Sequence, residues 1–309
     1  MTLRLSVLDQ SPVGETSSRR EAVRTTVQLA TALDDLGYTR FWLAEHHHSP
    51  GFAGTSPEIL VAAILERTKR MRVGTGGILL PLYNVEKVAE VFRVLAALHP
   101  GRVDLGLGRA GGPSAGYPDQ LVALQRLLAP ANQVEAALGP SPWLLGTSRS
   151  SSELAASLGM GYAFGHFLNP APAVEALTCY RDSFAPTSAR LEPQAALAVR
   201  VVVAETAETA SDLTDTILLW RARKDLGQDL PFPTTKTTGE HVWTDSELTR
   251  SRARRKNLVH GDPDSVRRDL ETLAAQHHVY EIIVNTPLSS IDHRLQSYQL
   301  LADSFDLCS

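Results

Sequence analysis

Eight times over, this chain alternates a short β-rich run with a longer amphipathic stretch, and no other feature restricts its fold as much. Strands separated by helices cannot pair as hairpins, so they line up in parallel with the helices packed over them. The strand runs are Leu3 to Leu8, Arg40 to Ala44, Met71 to Gly77, Val103 to Leu107, Trp143 to Gly146, Tyr162 to Gly165, Ala196 to Ala204 and Tyr280 to Asn285. Helical runs fall at Arg19 to Leu36, Pro57 to Thr68, Asn84 to Leu98, Asp119 to Leu138, Ser150 to Leu158, Pro170 to Phe184, Ala207 to Leu226, Asp264 to Ala275 and Ser289 to Asp303. The first shows the rule: Val23, Val27, Ala30 and Leu33 recur at helical spacing, and Gly37 closes the run. Eight βα units favour an α/β fold of the (β/α)8 TIM-barrel kind over an open doubly wound sheet, as a single domain spanning residues 1–309.

One stretch breaks the rhythm before the last βα unit. Residues Gly227 to Gly261 are rich in Pro, Thr and charge and end near "RSRARRKN", too long and polar for an ordinary connection. They are expected to form a lid or mobile excursion, whose basic cluster is either a solvated face or an anion-binding lid.

Composition narrows the function classes. With 43% hydrophobic and 21% charged residues the chain is globular rather than disordered. A net charge of -4 gives no general attraction to nucleic acid or to a membrane surface. Cys179 and Cys308 lie far apart, which argues against a disulfide framework or a zinc ribbon. No run resembles a signal peptide or a membrane span, so a cytoplasmic location is the expectation.

Parallel barrels gather their chemistry where strands end and βα loops begin, and four strand ends stand out. "WLAEHHH" carries His46, His47 and His48 after Glu45. Side chains alternate along an extended strand end, so these neighbours cannot all grip one ion, and no metal is expected. A histidine there has a pKa near neutrality and can move a proton; loop packing is the plainer alternative, preferred for His48. "VGTGGILLP" and "DLGLGRAGG" place glycines at two neighbouring strand ends, either as ordinary turns or as a flat slot suited to a planar ring. The string from Gly106 to Gly112 fits a dinucleotide turn poorly because of Arg109 and Pro113. "WLLGTSRSSSE" leads into a helix capped at Ser150 or nearby. Its free N–H groups, with the hydroxyls of Thr147, Ser148 and Ser151, make either a phosphate seat or a plain serine-rich cap; Arg109 tilts the balance to phosphate.

These segments, in this order, resemble the bacterial luciferase-like family of flavin-dependent monooxygenases. The resemblance runs through "RFWLAEHHHSPGFAGTSPEILVAAILERTKRMRVGTGGILLP", "LHPGRVDLGLGRAGG", "PWLLGTSRSSSELAASLGMGYAFGHF", "LVHGDPDSVRRDL" and "EIIVNTPLSSIDHRLQSYQLLAD". It implies a (β/α)8 barrel holding reduced FMN (FMNH2) at its C-terminal mouth, with His46 as the catalytic histidine. It places Gly76 and Gly77 at a cis peptide against the flavin ring. Arg109, Thr147, Ser148 and Ser151 fall near the phosphate tail, with Leu145 and Gly146 beside them. It further implies O2-dependent chemistry through a flavin C4a-peroxide on a small-molecule substrate, reduced flavin delivered by a separate flavin reductase, and a homodimer pairing near the second and third βα units. Two departures bear on the cofactor grip: the segment Pro113 to Ser141 is shorter than in many relatives, and Gly165 stands where some carry serine. The same barrel also serves deazaflavin-dependent oxidoreductases and non-catalytic flavin-binding proteins. Phe52, Tyr83, Phe164, His166 and Trp243 suggest an apolar or aromatic ligand.

Overall fold

The computed structural model describes residues 3–109, 112 and 115–307, which leaves Cys308 and Pro113 outside the described residues. In chain order the elements are β1 (Arg4–Asp9), α1 (Arg19–Asp35), β2 (Arg40–Leu43), α2 (Pro57–Leu65), β3 (Arg72–Thr75), β4 (Ile78–Leu79), a 3-10 turn (Leu80–Leu82), α3 (Val85–Leu98), β5 (Val103–Gly108), α4 (Tyr117–Leu128) and α5 (Gln133–Leu138). They continue with β6 (Ser141–Gly146), α6 (Arg149–Ser157), β7 (Gly161–Phe164), α7 (Ala173–Asp182), β8 (Ala195–Val203), α8 (Ala207–Asp225), α9 (Thr235–Glu240), α10 (Asp245–Arg255), β9 (Leu258–Gly261), α11 (Pro263–His277), β10 (Glu281–Asn285) and α12 (Ile291–Ser304).

Every strand pairing is parallel and the sheet closes: β1 lies between β10 and β2, and β10 also pairs with β8. The eight-membered ring of β1, β2, β3, β5, β6, β7, β8 and β10 is the expected TIM barrel. Alternation along each strand separates two apolar groups. On β8, Val199, Val201 and Val203 face the helices, whereas Ala196 and Ala198 join Leu8, Trp42, Trp143, Ala163 and Ile283 inside the barrel.

The barrel interior is layered. At the strand starts Arg40 donates to Glu281 at 2.6 Å and to Asp104 at 2.8 Å, both carboxylates fully buried. Arg72 reaches Asp104 and Ser6 donates to Glu281, so the charges are paired. Above them Trp42 and Trp143 meet edge to face with centroids 5.2 Å apart, and the Trp42 Nε1 proton also goes to Asp104. Toward the strand ends the interior side chains shrink to Ala44, Ala163 and Ala198, which leaves the mouth open.

Three local expectations are revised. The run Met71 to Gly77 is strand only to Thr75; the Gly76–Gly77 peptide is cis, and the chain resumes as β4. The run Asp119 to Leu138 breaks into α4 and α5 because Pro130 drives Ala129 out of the helical region, to φ -56 and ψ 121. Residues Gly227 to Gly261 contain α9, α10 and a strand, β9, paired with the upper half of β8. The near end of this excursion is tied down: Phe232 exchanges backbone hydrogen bonds with Val13 and Glu15, and Leu230 accepts from Trp220 Nε1 at 3.0 Å.

Candidate active site

A cavity of about 860 Å3 opens at the C-terminal mouth, within the roughly 300–1,000 Å3 usual for small-molecule sites. His46, Gly76, Gly77, Arg109, Leu145, Gly146, Thr147, Ser148 and Ser151 all line it. Residues more than 100 positions apart in sequence therefore meet in one space, because the barrel brings the ends of β2, β3, β5 and β6 side by side.

The three histidines diverge, and of them only His46 lines the cavity. His47 Nε2 bonds Glu45 at 2.6 Å, and His48 is exposed with a positive φ of 53. Glu45 is buried and also accepts from Tyr83 Oη at 2.6 Å and from the Leu79 amide at 2.9 Å. That carboxylate pins the loop after β2 to the segment following the cis peptide. It thereby sets His46 at the strand end next to the two glycines.

His46 is held from three sides. Its amide donates to Gly54 at 2.8 Å, and its ring stacks on Phe52 with centroids 4.3 Å apart. Phe52 in turn packs on Trp220 and on Phe232 from the excursion. One ring nitrogen, Nε2, faces Gln10 Nε2 at 3.4 Å; the other, Nδ1, is buried without a partner, as is Gln10 Oε1. Unpartnered buried polar atoms are costly, and these two belong to residues that line the cavity. Burial, then the charge of Lys224 and His47, pushes His46 down to about 4 from its ordinary 6.5. The expectation of a near-neutral pKa is corrected accordingly: the ring is neutral at pH 7, serving as a hydrogen-bonding or proton-accepting group rather than a half-protonated buffer.

On the adjacent strand, the glycine ledge is side-chain-free for a packing reason. A Cβ on Gly77 would lie 2.6 Å from the Gly106 carbonyl oxygen, and one on Gly76 would lie 2.6 Å from Leu8 Cδ1. Only hydrogen fits between these strands, so the cavity meets bare backbone there. Beyond the ledge the wall is apolar, from Leu8, Leu79, Leu144 and Ile283.

At the far end the cavity reaches the start of α6. Ser148, rather than Ser150, is the N-cap: its hydroxyl accepts from the Ser151 amide, and Ser151 answers the Ser148 amide at 3.3 Å. The first-turn amides of Arg149 and Ser150 remain available with the dipole behind them, and the hydroxyls of Thr147 and Ser150 lie on the same cavity wall. Arg109 donates to the Gly112 carbonyl at 2.8 Å and borders the same opening. Arg149 pairs instead with Glu153 and Glu175, at 2.8 and 2.9 Å, which neutralises the one acidic group on this wall.

The aromatic residues expected around a ligand do not line the cavity. Phe52 backs His46, Tyr83 holds Glu45, Phe164 sits in the outer core, His166 packs on His277, and Trp243 packs on His241 in the excursion. Phe164 illustrates why: strand alternation turns it outward while its neighbour Ala163 faces in. Sequence reasoning also passed over Gln10 and Phe167, both of which line the cavity. Gln10 directly follows β1, so the strand-end rule applied to "VLDQSP" would have found it.

Comparisons with known proteins agree with this geometry. Residues 1–120 match the luciferase-like monooxygenase family. A luciferase-like monooxygenase of Escherichia coli (strain K12) is 32% identical over 330 residues, which span 98% of this chain and 97% of the relative. The N-acetyl-S-alkylcysteine monooxygenase of Bacillus subtilis (strain 168) is 30% identical over 331 residues, 98% of either chain. The crystal structure of apo-MsnO8 superposes with a TM-score of 0.88 at 35% identity, over 99% of both chains.

Proposed function

Since the chain belongs to the luciferase-like monooxygenase family and is thus a flavin-dependent monooxygenase, we propose that it is the oxygenating half of a two-component system that uses FMNH2 and O2. A separate flavin reductase supplies the reduced flavin, and the substrate is a small apolar or aromatic organic molecule. The observation that carries this reading is one continuous cavity joining a bare glycine ledge, an imidazole with one unpartnered nitrogen and a hydroxyl-rich helix start.

The residues fit reduced FMN. The Gly76–Gly77 ledge takes the ring, since any side chain there would collide with the neighbouring strand. The open amides and hydroxyls at α6 take the phosphate, with Arg109 at the rim. Bound reduced FMN would supply the electrons that activate oxygen. His46 Nδ1 then holds or accepts a proton at the reacting centre, while Gln10 and Phe52 fix the ring orientation. The apolar wall excludes water, which a reactive oxygen species requires. The anchored segment around Phe232 braces His46 from behind. Exposed Ile59, Val94 and Leu98 on α2 and α3 supply the face through which two copies pair.

Anaerobic titration with reduced FMN followed by rapid mixing with oxygen tests the reading. The expected result is saturable binding and reoxidation kinetics unlike those of free flavin. Hydride exchange with a deazaflavin and no oxygen uptake would overturn it.

A further inference from the structure

Strand alternation places one more charged residue at the mouth. On β8, Ala196, Ala198 and Arg200 share the inward face, and Ala198 lines the main cavity. Arg200 is therefore one interior layer above the cavity wall, level with Asn285, its register partner on β10. It is only 9% exposed. Its Nε donates to Asn285 Oδ1 at 3.3 Å, while Asn285 Nδ2 is committed to the Leu8 carbonyl. Among the described residues no carboxylate pairs with Arg200; the charged groups acting on it are Arg221 and Arg254. Those two share a single partner, Asp225, at 2.8 and 3.1 Å. Two of these three guanidinium groups thus share one carboxylate, and among the described residues the third and most buried, Arg200, has no ion-pair partner. A buried cation in that state costs stability unless something anionic arrives.

The surroundings say from where. The Arg200 guanidinium lies over the Phe167 ring, 5.0 Å from its centroid. Phe167 and Leu168 border the main cavity on one side, and on the other a crevice of about 20 Å3 beside Arg200. One aromatic ring separates the unpaired cation from the space assigned above to flavin and substrate. The flavin phosphate seat is at α6, two barrel strands away, and leaves Arg200 unused.

We propose that Arg200 is the specificity-determining residue for the organic substrate, which carries a carboxylate: the apolar part fills the cavity and the carboxylate reaches Arg200 past a displaced Phe167 ring. A planar carboxylate matches the guanidinium fork and a crevice of this size. This inference rests on the monooxygenase reading for the presence of substrate in that cavity.

The test uses the full chain and uncharged controls. Straight-chain carboxylates from acetate to octanoate, and benzoate, are titrated calorimetrically at pH 7.5, each against its own primary amide. The expected result is that at least one acid binds roughly ten- to a hundredfold more tightly than its amide, and that Arg200→Met removes the difference. Arg200→Lys, which keeps the charge without the fork, should restore part of the preference, and it serves should the Met variant fold poorly. Equal binding of every acid and amide, no binding by any of them at millimolar concentration, or a preference that survives Arg200→Met would overturn the proposal. Reduced FMN is titrated separately. An Arg200→Met protein that loses flavin affinity would reassign Arg200 to the cofactor and overturn the proposal as well. Failure of the wild-type chain to bind reduced FMN would instead sink the monooxygenase reading, leaving the acid-to-amide ratio as its own result.

Discussion

Inside this barrel, buried polarity is handled differently at the two ends, although Glu45 is hydrogen-bonded and Asp9 pairs with Arg294 at the strand ends too. At the strand starts, Arg40, Arg72, Asp104 and Glu281 satisfy one another within 3 Å and close the interior. At the strand ends, among the described residues, His46 Nδ1 and Gln10 Oε1 have no hydrogen-bond partner and no carboxylate pairs with Arg200, and Gly76 and Gly77 contribute no side chain. The closed end is not perfect: Arg190 leaves Nη1 unpartnered, though its guanidinium lies over Trp143 at 5.0 Å. The contrast still separates two uses of the same fold. A paired, desolvated charge network closes one end of the barrel, whereas the unpaired groups at the other are, on the function proposed above, the ones a ligand would complete.

Several experiments would break or sharpen that contrast. The largest expected effect comes from the closed end: Asp104→Asn leaves Arg72 without a carboxylate and Arg40 with Glu281 alone, and should cost about 3–5 kcal/mol in urea unfolding. Arg200→Met at the mouth should cost nothing or stabilise, and equal losses at both ends would erase the distinction. Next, His46→Ala should lower product formation roughly a hundredfold to ten-thousandfold with reduced-FMN binding retained. Unchanged turnover would remove His46 from the chemistry and favour a binding protein. Gly77→Ala, whose Cβ would press on the Gly106 carbonyl, should cost about 1–3 kcal/mol and weaken flavin binding; an unaltered affinity would mean that the ring lies elsewhere. Ser148→Ala removes the α6 cap and should cost about 1 kcal/mol. It should weaken FMN more than riboflavin, and an equal loss for both would move the phosphate away from α6.

The smallest effect is a pH dependence with a definite sign. His46 and His166 are both pushed down to about 4 by burial, while the unfolded chain takes up those protons near 6.5. The stability due to keeping these rings neutral is therefore complete above pH 6.5 and is lost as the pH falls from 6.5 toward 4. In unfolding measurements across that window, His46→Gln should flatten part of the slope. An unchanged slope would show that His46 titrates normally.

Most of the barrel was legible in the sequence because each strand-helix pair carries its own periodicity. The joints between them were less so. The break after Thr75 and the split at Pro130 depend on single peptide conformations, and β9 exists only because β8 is long enough to offer its upper half a second neighbour. At the site, the strand-end rule and the family resemblance picked nine residues that converge on one cavity. Arg200 escaped because "ALAVRVVV" reads as uniform strand, and its inward direction follows only from the register with β10. Phe164 was misread for a similar reason, since residue type alone does not say which face of a strand a side chain occupies; Phe52, Tyr83, His166 and Trp243 lie in loops whose packing the sequence pattern does not give. His46 lines the cavity, but its protonation depends on Phe52, Lys224 and the density of packing, none of which is written in "EHHH".

The most direct measurement is a crystal structure obtained with reduced FMN under anaerobic conditions. The account predicts the ring lying against the Gly76–Gly77 backbone, His46 Nδ1 turned toward it, and the phosphate at the first turn of α6. Flavin seated elsewhere, or a ring out of reach of His46, would contradict it.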